Sequence, residues 1–299
     1  MKRILLFIIT NLAVVFLMTA MFHVLCALLG VDPAGVLSGS ELNIGALAIY
    51  ALVFGMTGSV VSLLLSKTIA KMSVGARTID GSEGEEERWI VETVRRLAER
   101  ANINMPEVAV YHGSPNAFAT GAFRNHALVA VSDGLMGSMT HREVEAVLGH
   151  ELSHVSNGDM VTTTLLQGIL NACVLFVARV AAWMVANALA GGRGNRRGAS
   201  NYFVYHIVSM VAQILLGLAA SLVVFWHSRR REYAADAGSA TLLGTPMPMI
   251  EALRRLGGIS GEPLPDSLKA LGIDGKRASL FATHPSIEDR IAALESFRA

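Results

Sequence analysis

Four long apolar runs alternate with polar segments, and this alternation organises the chain. Met1-Lys2-Arg3 precedes an apolar run from Ile4 to Leu29. A helix needs about 20 apolar residues to cross a bilayer, so this run is long enough. It is too long for a cleaved signal peptide, and no small-x-small cleavage site clearly follows, so it reads as retained. The connection 31–43 carries Asp32 and Glu41 but no Lys or Arg. A second run, Ile44 to Ser66, is followed by Lys67, Lys71 and Arg77. Positive charge before the first run and after the second predicts a hairpin with both flanks on the cytoplasmic side.

From Gly81 the pattern becomes amphipathic. After Glu83, Glu85, Glu86 and Glu87, which suit a solvated helix start, Ile90, Val94 and Leu97 recur at helical spacing. Pro106 opens a short strand, Val108–Tyr111. A loop over 113–121 leads to a second strand at Ala127–Val131, and Asp133-Gly134 reads as a turn. Thr140 and Glu143 then form a capping-box pair, Val144, Val147, Leu148 and Val155 mark a helix, and Asn157-Gly158 supplies its stop.

After Asp159 come two further apolar runs, Thr164–Ala190 and Phe203–Trp226. Arg179 interrupts the first, which is costly at mid-span unless the charge is paired or faces water. The glycine-rich loop between them carries Arg193, Arg196 and Arg197. If both runs span, these arginines lie on the non-cytoplasmic side, against the positive-inside tendency. The runs can instead form a hairpin packed partly on the polar unit. Spanning is the favoured reading, and both arrangements return the chain to the side it left. Arg229, Arg230 and Arg231 fit a helix emerging there. Helices follow near Met247–Leu256 and Ser286–Phe297, with 257–276 read as loop.

Composition agrees with a mixed molecule. The chain is 52% hydrophobic and 16% charged, with a mean hydropathy of +0.46. That is too apolar for an ordinary soluble domain, while the middle is too charged for a pure membrane bundle. A net charge of +1 gives no argument for nucleic acid. Cys26 and Cys173 fall in apolar runs and read as core or lipid-facing residues, not as a disulfide or metal pair.

The candidate chemistry sits in His150-Glu-Leu-Ser-His154. The two histidines are four apart, so both imidazoles leave one helix face and can bind one Zn²⁺. Glu151 beside them is placed to act as a general base. A catalytic zinc takes a third protein ligand, and Glu232 is the best candidate. Asp236, one turn further, can accept the second N–H of a ligating histidine. On spacing alone, Glu232 equally fits a surface ion pair with Arg229 or Arg231.

Taken in order, His150-Glu-Leu-Ser-His154, Ser228-Arg-Arg-Arg-Glu232-Tyr-Ala-Ala-Asp236 and Thr283-His284-Pro285-Ser286 resemble the HtpX-type membrane zinc endopeptidases, relatives of the CAAX prenyl proteases. The resemblance covers essentially the whole chain, including the N-terminal hairpin and the Asn116–Gly121 loop. It implies that His150, His154 and Glu232 hold one zinc, that Glu151 is the base and that Asp236 is the carboxylate behind a ligand. It also implies that Asn116 and Ala117 lie at an edge strand to which a substrate peptide adds. His284 matches an oxyanion-stabilising histidine, with Arg290 in support. Read from the residues alone, Asn116 is a turn asparagine beside Pro115, and His284 a helix-start residue before Pro285.

The expected fold is a mainly α membrane protein: four hydrophobic helices plus a zincin-like α+β catalytic domain with a small sheet. Its divisions are an N-terminal hairpin at 1–66, with spans near 4–29 and 44–66, and a first catalytic part at 67–160. A second hairpin at 161–226 follows, with spans near 164–190 and 203–226, and then a second catalytic part at 227–299. The resemblance implies a zinc endopeptidase of the bacterial cytoplasmic membrane that cleaves misfolded or damaged membrane proteins in quality control and stress response. Its catalytic domain and both termini would be cytoplasmic. The implied partners are polypeptide substrates and the lipid bilayer, with no nucleic acid and no indication of oligomeric state. A membrane adaptor or chaperone with a structural zinc is the alternative, disfavoured because a structural zinc needs no base. A transporter using Arg179 and His206 is disfavoured by the large polar insert.

Overall fold

The computed structural model describes residues 2–33, 42–190, 199–259 and 284–297. Glu41, Arg193, Arg196, Arg197, most of the 257–276 loop and Thr283 therefore lie outside the described residues. In chain order the elements begin with α1 (Lys2–Leu28), α2 (Ile44–Val74), β1 (Arg77–Ile79), α3 (Glu85–Arg100), β2 (Glu107–Tyr111) and β3 (Ala117–Thr120). Next come β4 (Leu128–Ser132), α4 (Asp133–Ser138), α5 (His141–Asn157), α6 (Asp159–Ala190) and α7 (Ala199–Leu243). Helices α8 (Met247–Ile259) and α9 (Ile287–Glu295) follow among the described residues. The protein is mainly helical with a small mixed sheet.

The chain divides into two compact units, one comprising Met1–Val61 and Leu165–Ser221, the other Ser62–Thr164 and Leu222–Ala299. In the first, the helices are apolar on all sides, as bilayer-facing helices must be. Among the described residues α2, α6 and α7 are each long and apolar enough to cross a membrane, and α1 adds the shorter apolar stretch Val15–Leu28. Phe22 and Cys26 of α1 pack with Leu47 and Val53 of α2, while Leu52, Ile169, Leu215 and Leu218 remain exposed. Arg179 finds partners inside this unit. Its guanidinium donates to the hydroxyls of Tyr50 at 3.0 Å and Tyr205 at 3.3 Å, and lies 4.5 Å over the Tyr50 ring. Cys26 is buried, Cys173 is exposed, and neither forms a disulfide.

The second unit holds a four-stranded sheet in the order β1-β2-β4-β3. β2 and β4 are parallel, the other pairs antiparallel, and all five residues of β4 are buried. β3 is an edge, with Ala117 opposite Val131 and Thr120 opposite Leu128. Ile90, Val94 and Leu97 of α3 share a core with Val108, Val129 and Val131 of the sheet and with Val144, Leu148 and Leu152 of α5.

Several local expectations change. The 113–121 segment is not all loop, because Ala117–Thr120 pairs with β4. Arg77, read only as a positive flank, starts β1. Asp133-Gly134 begins a helical turn, capped by the Ser132 hydroxyl accepting from the Leu135 N–H. α2 and α6 extend beyond their apolar runs, and α7 is one helix of 45 residues that carries Phe203–Trp226 and Glu232 alike. Hydropathy marks where lipid is tolerated, whereas helical hydrogen bonding continues past that border.

β1 and β2 are tied to the end of α2 by Glu107. Its carboxylate meets Lys67 at 2.7 Å, Lys71, and the Thr78 hydroxyl at 2.7 Å. Partial burial opposes its charge, but the two ammonium groups and the hydroxyl outweigh it and pull its pKa from the ordinary 4.5 to about 2. Because the folded pKa lies below the unfolded one, the stabilisation is complete above about pH 4.5 and is lost as pH falls through about 2. Glu107→Gln should therefore lower stability at neutral pH and flatten its decline between pH 5 and pH 2, measured by thermal melts in detergent. A variant that declines as steeply as wild type would contradict this assignment.

Candidate active site

The motif helix α5 is held at both ends. The Thr140 hydroxyl accepts from the Glu143 N–H, the Glu143 carboxylate accepts the Thr140 N–H at 2.7 Å, and Gly158 closes the helix at φ +70. α7 then approaches closely. A Cβ on Gly238 would lie 2.4 Å from Ser153 Oγ, and Ser239 Oγ donates to the Ala146 carbonyl at 2.7 Å. Only a residue without a side chain permits this approach, and it brings α7 carboxylates to α5 imidazoles.

His150 Nε2 and His154 Nε2 lie 3.2 Å apart. Glu232 Oε2 is 3.6 Å from the first, and Glu232 Oε1 is 3.5 Å from the second. All three residues are buried and could hold a metal ion. Tetrahedral zinc bound at about 2.0–2.1 Å separates its ligand atoms by about 3.3 Å, so this donor set fits the ion. Glu232 is 4% exposed, which removes the surface ion-pair reading.

Each imidazole is backed by a carboxylate. His150 Nδ1 lies 2.9 Å from Asp236 Oδ1, and Arg290 grips Asp236 through Nε at 2.8 Å and Nη2 at 2.6 Å. His154 Nδ1 lies 2.6 Å from Asp159 Oδ2, and Arg231 donates to the Asp159 carbonyl at 2.9 Å. When both imidazoles are neutral and their Nδ1–H groups donate outward, both Nε2 lone pairs face Glu232.

The electrostatics follow. Burial opposes a charged His154, but Asp159 and Glu232 more than offset it and push its pKa up to about 9. His150 is also raised, by Asp236 and Glu232 against burial. Desolvation opposes ionisation of Asp236, yet Arg290 and His150 hold it below the usual carboxylate range. Glu151 moves the other way, lifted by loss of solvent. Its Oε2 accepts the Ala119 N–H of edge strand β3 at 2.8 Å.

The structure thus gathers His150, Glu151, His154, Glu232, Asp236, His284 and Arg290 in one place. His284 Nδ1 is 3.0 Å from Glu232 Oε2, with its side chain 55% exposed. Arg290 engages Asp236 and stands 3.5 Å from Glu232 Oε2. Asn116 is tied by its backbone to Ser132 just before β3, and Ala117 opens that strand. It is Ala119 that reaches Glu151. Sequence reasoning passed over Ala119, Asp159 and Arg231. No signal marked Asp159, because a carboxylate before an apolar run reads as an ordinary helix-start residue.

The sequence profile of peptidase family M48 matches residues 84–298. The chain belongs to peptidase family M48. Full-length relatives agree with this membership. A "Protease HtpX homolog" of Janthinobacterium sp. (strain Marseille) is 54% identical over 300 residues, covering 100% of both chains. One of Herminiimonas arsenicoxydans is 52% identical with the same coverage. The crystal structure of S. mikatae Ste24p superposes with a TM-score of 0.59 at 15% identity, covering 98% of this chain and 65% of that one. That likeness is one of fold.

If Asp159 orients His154, Asp159→Asn should weaken zinc binding about tenfold in a competition titration, with the helical circular dichroism retained. Unchanged affinity would remove Asp159 from that role.

Proposed function

We propose that this M48 membrane protease is a zinc endopeptidase that cleaves misfolded or damaged membrane proteins on the cytoplasmic side of the bacterial inner membrane. One observation carries the reading: His150, His154 and Glu232 converge to 3.2–3.6 Å with Glu151 beside them. The donors are nitrogen and oxygen alone, the set suited to catalytic zinc. Among the described residues three such donors converge, whereas a structural site closes with four. This disfavours an adaptor that uses zinc only as a staple.

When bound, zinc would acidify water toward a pKa of about 7 and polarise a peptide carbonyl. Glu151 would take the proton from the attacking water and pass it to the leaving amine. Asp236 and Asp159 keep the Nδ1 protons of His150 and His154 in place, so neither imidazole can turn. His284, exposed at the rim and within reach of Glu232, would donate toward the oxygen on which negative charge develops. Strand β3 pairs on one side with β4, which leaves its other edge for an extended substrate starting near Asn116 and Ala117.

The proposed divisions are membrane hairpins at 1–66 and 161–226 and a catalytic domain built from 67–160 and 227–299. Lys67, Lys71 and Arg77 after α2's apolar run, with Arg229–Arg231 after that of α7, support a cytoplasmic catalytic domain. A site tethered between apolar helices favours substrates that share the bilayer.

Glu151→Gln should lower cleavage of casein or a model membrane protein by about 10²–10³-fold while leaving zinc content at the wild-type level. Near wild-type turnover by that variant would sink the assignment.

A further inference from the structure

Past its apolar run, α2 keeps an uncharged outer face. Leu65, Ile69 and Met72 are 37%, 51% and 59% exposed. At spacings of four and three they form one stripe along the helix. Lys67 and Lys71 are the only charged residues between Ile44 and Ala76, and helical periodicity puts them on the opposite face. There both ammonium groups meet the Glu107 carboxylate. A lysine at a lipid border ordinarily sends its charge outward to the headgroups. These two turn inward to a carboxylate instead, so they record the side on which α2 emerges without marking how deep it sits.

The length of the helix points the same way. α2 has 31 residues, about 46 Å at 1.5 Å per residue, against a hydrocarbon layer of about 30 Å. A helix that exceeds the layer tilts within it or runs on through the headgroups, and either course brings the end of α2 into lipid. The stripe is also continuous with the face that lipid covers lower down. The exposed ridge of Leu52, Val60 and Leu64, at intervals of eight and four, leads into Met72.

The active-site cavity fixes the height. Ser62, Leu63 and Ser66 of α2 line it together with Glu151, His154 and Met160. Residue 64, the middle of that α2 segment, precedes Met72 by about 12 Å along the helix.

We propose that the Leu65–Ile69–Met72 stripe is immersed in lipid, so that the bilayer surface rises along α2 past the level of the active-site cavity. The proposal rests on the membrane-protease reading above and adds a depth to it. The catalytic groups then stand at headgroup level, within reach of chain segments just leaving the bilayer.

The test measures depth at single positions. In a cysteine-free background (Cys26→Ala, Cys173→Ala), full-length protein in lipid nanodiscs carries one nitroxide label at a time, on Leu52→Cys, Ile69→Cys, Met72→Cys or Arg95→Cys. Collision of the label with oxygen, which concentrates in lipid, is compared with collision with a water-soluble nickel chelate. Leu52 lies exposed within the apolar run, and Arg95 lies exposed on α3. Oxygen is expected to exceed nickel severalfold at Ile69 and Met72, as at Leu52, with the reverse at Arg95. Nickel exceeding oxygen at Ile69 and Met72 while Leu52 stays lipid-like overturns the immersion and leaves the membrane reading standing. Weak collision with both reagents there means cover by protein, a second copy or another segment, and also overturns it. A water-like Leu52 overturns the membrane reading, and the immersion with it. Should the cysteine-free background lose its helical circular dichroism, Met72→Trp in nanodiscs of brominated lipid replaces the labels. Quenching beyond that of the wild-type tryptophans is then expected, and none beyond it overturns the proposal.

Discussion

α5 and α7 meet where Gly238 faces Ser153, with room for no Cβ between them, and the site depends on that approach. Glu232 lies further up α7, too short a side chain to reach two imidazoles from a helix held at ordinary distance. The Ser239 hydroxyl fixes the register by bonding the Ala146 carbonyl. Once α7 is seated, Glu232 and Asp236, one turn apart, serve different atoms of the same cluster: Glu232 faces both Nε2 atoms, and Asp236 takes His150 Nδ1. A sideways slip of α7 would bury both carboxylates away from the histidines, and buried charges without partners are not tolerated.

Charge explains why so polar a cluster can be buried. Behind each histidine stands an aspartate, and beside each aspartate an arginine: His150, Asp236 and Arg290 on one side, His154, Asp159 and Arg231 on the other. Four carboxylates, Asp159, Asp236, Glu151 and Glu232, face two guanidiniums, which leaves two negative charges when the imidazoles are neutral. A divalent cation balances them. In its absence the same surplus draws protons onto the histidines, which is why His154 rises to about 9.

Much of α5 was legible beforehand because its signals are local. A capping box, apolar spacing and a stop glycine lie within one stretch, and their geometry follows from the helix itself. Glu232 was readable only as a candidate, since its burial depends on where α7 docks. β1 escaped, and β3 was reached only through the family resemblance, because strands of three and four residues carry too little alternation to stand out and β3 lies behind a Ser-Pro-Asn segment that reads as turn. Asp159 looked like a residue before a membrane helix; its role depends on α6 starting directly after Gly158, which aims its carboxylate at His154. The apolar runs located the helices that can cross a membrane but not their ends, because polar turns of α2, α6 and α7 continue past them into the second unit.

The central claim is that two histidines and Glu232 hold a zinc ion, and zinc X-ray absorption of the purified full-length protein tests it most directly. The expected result is one zinc per chain, coordinated by nitrogen and oxygen alone at about 2.0–2.1 Å with the scattering of two imidazoles, and lost in Glu232→Ala. Sulfur in the first shell, which would bring in Cys26 or Cys173, or zinc retained unchanged in Glu232→Ala, would contradict it.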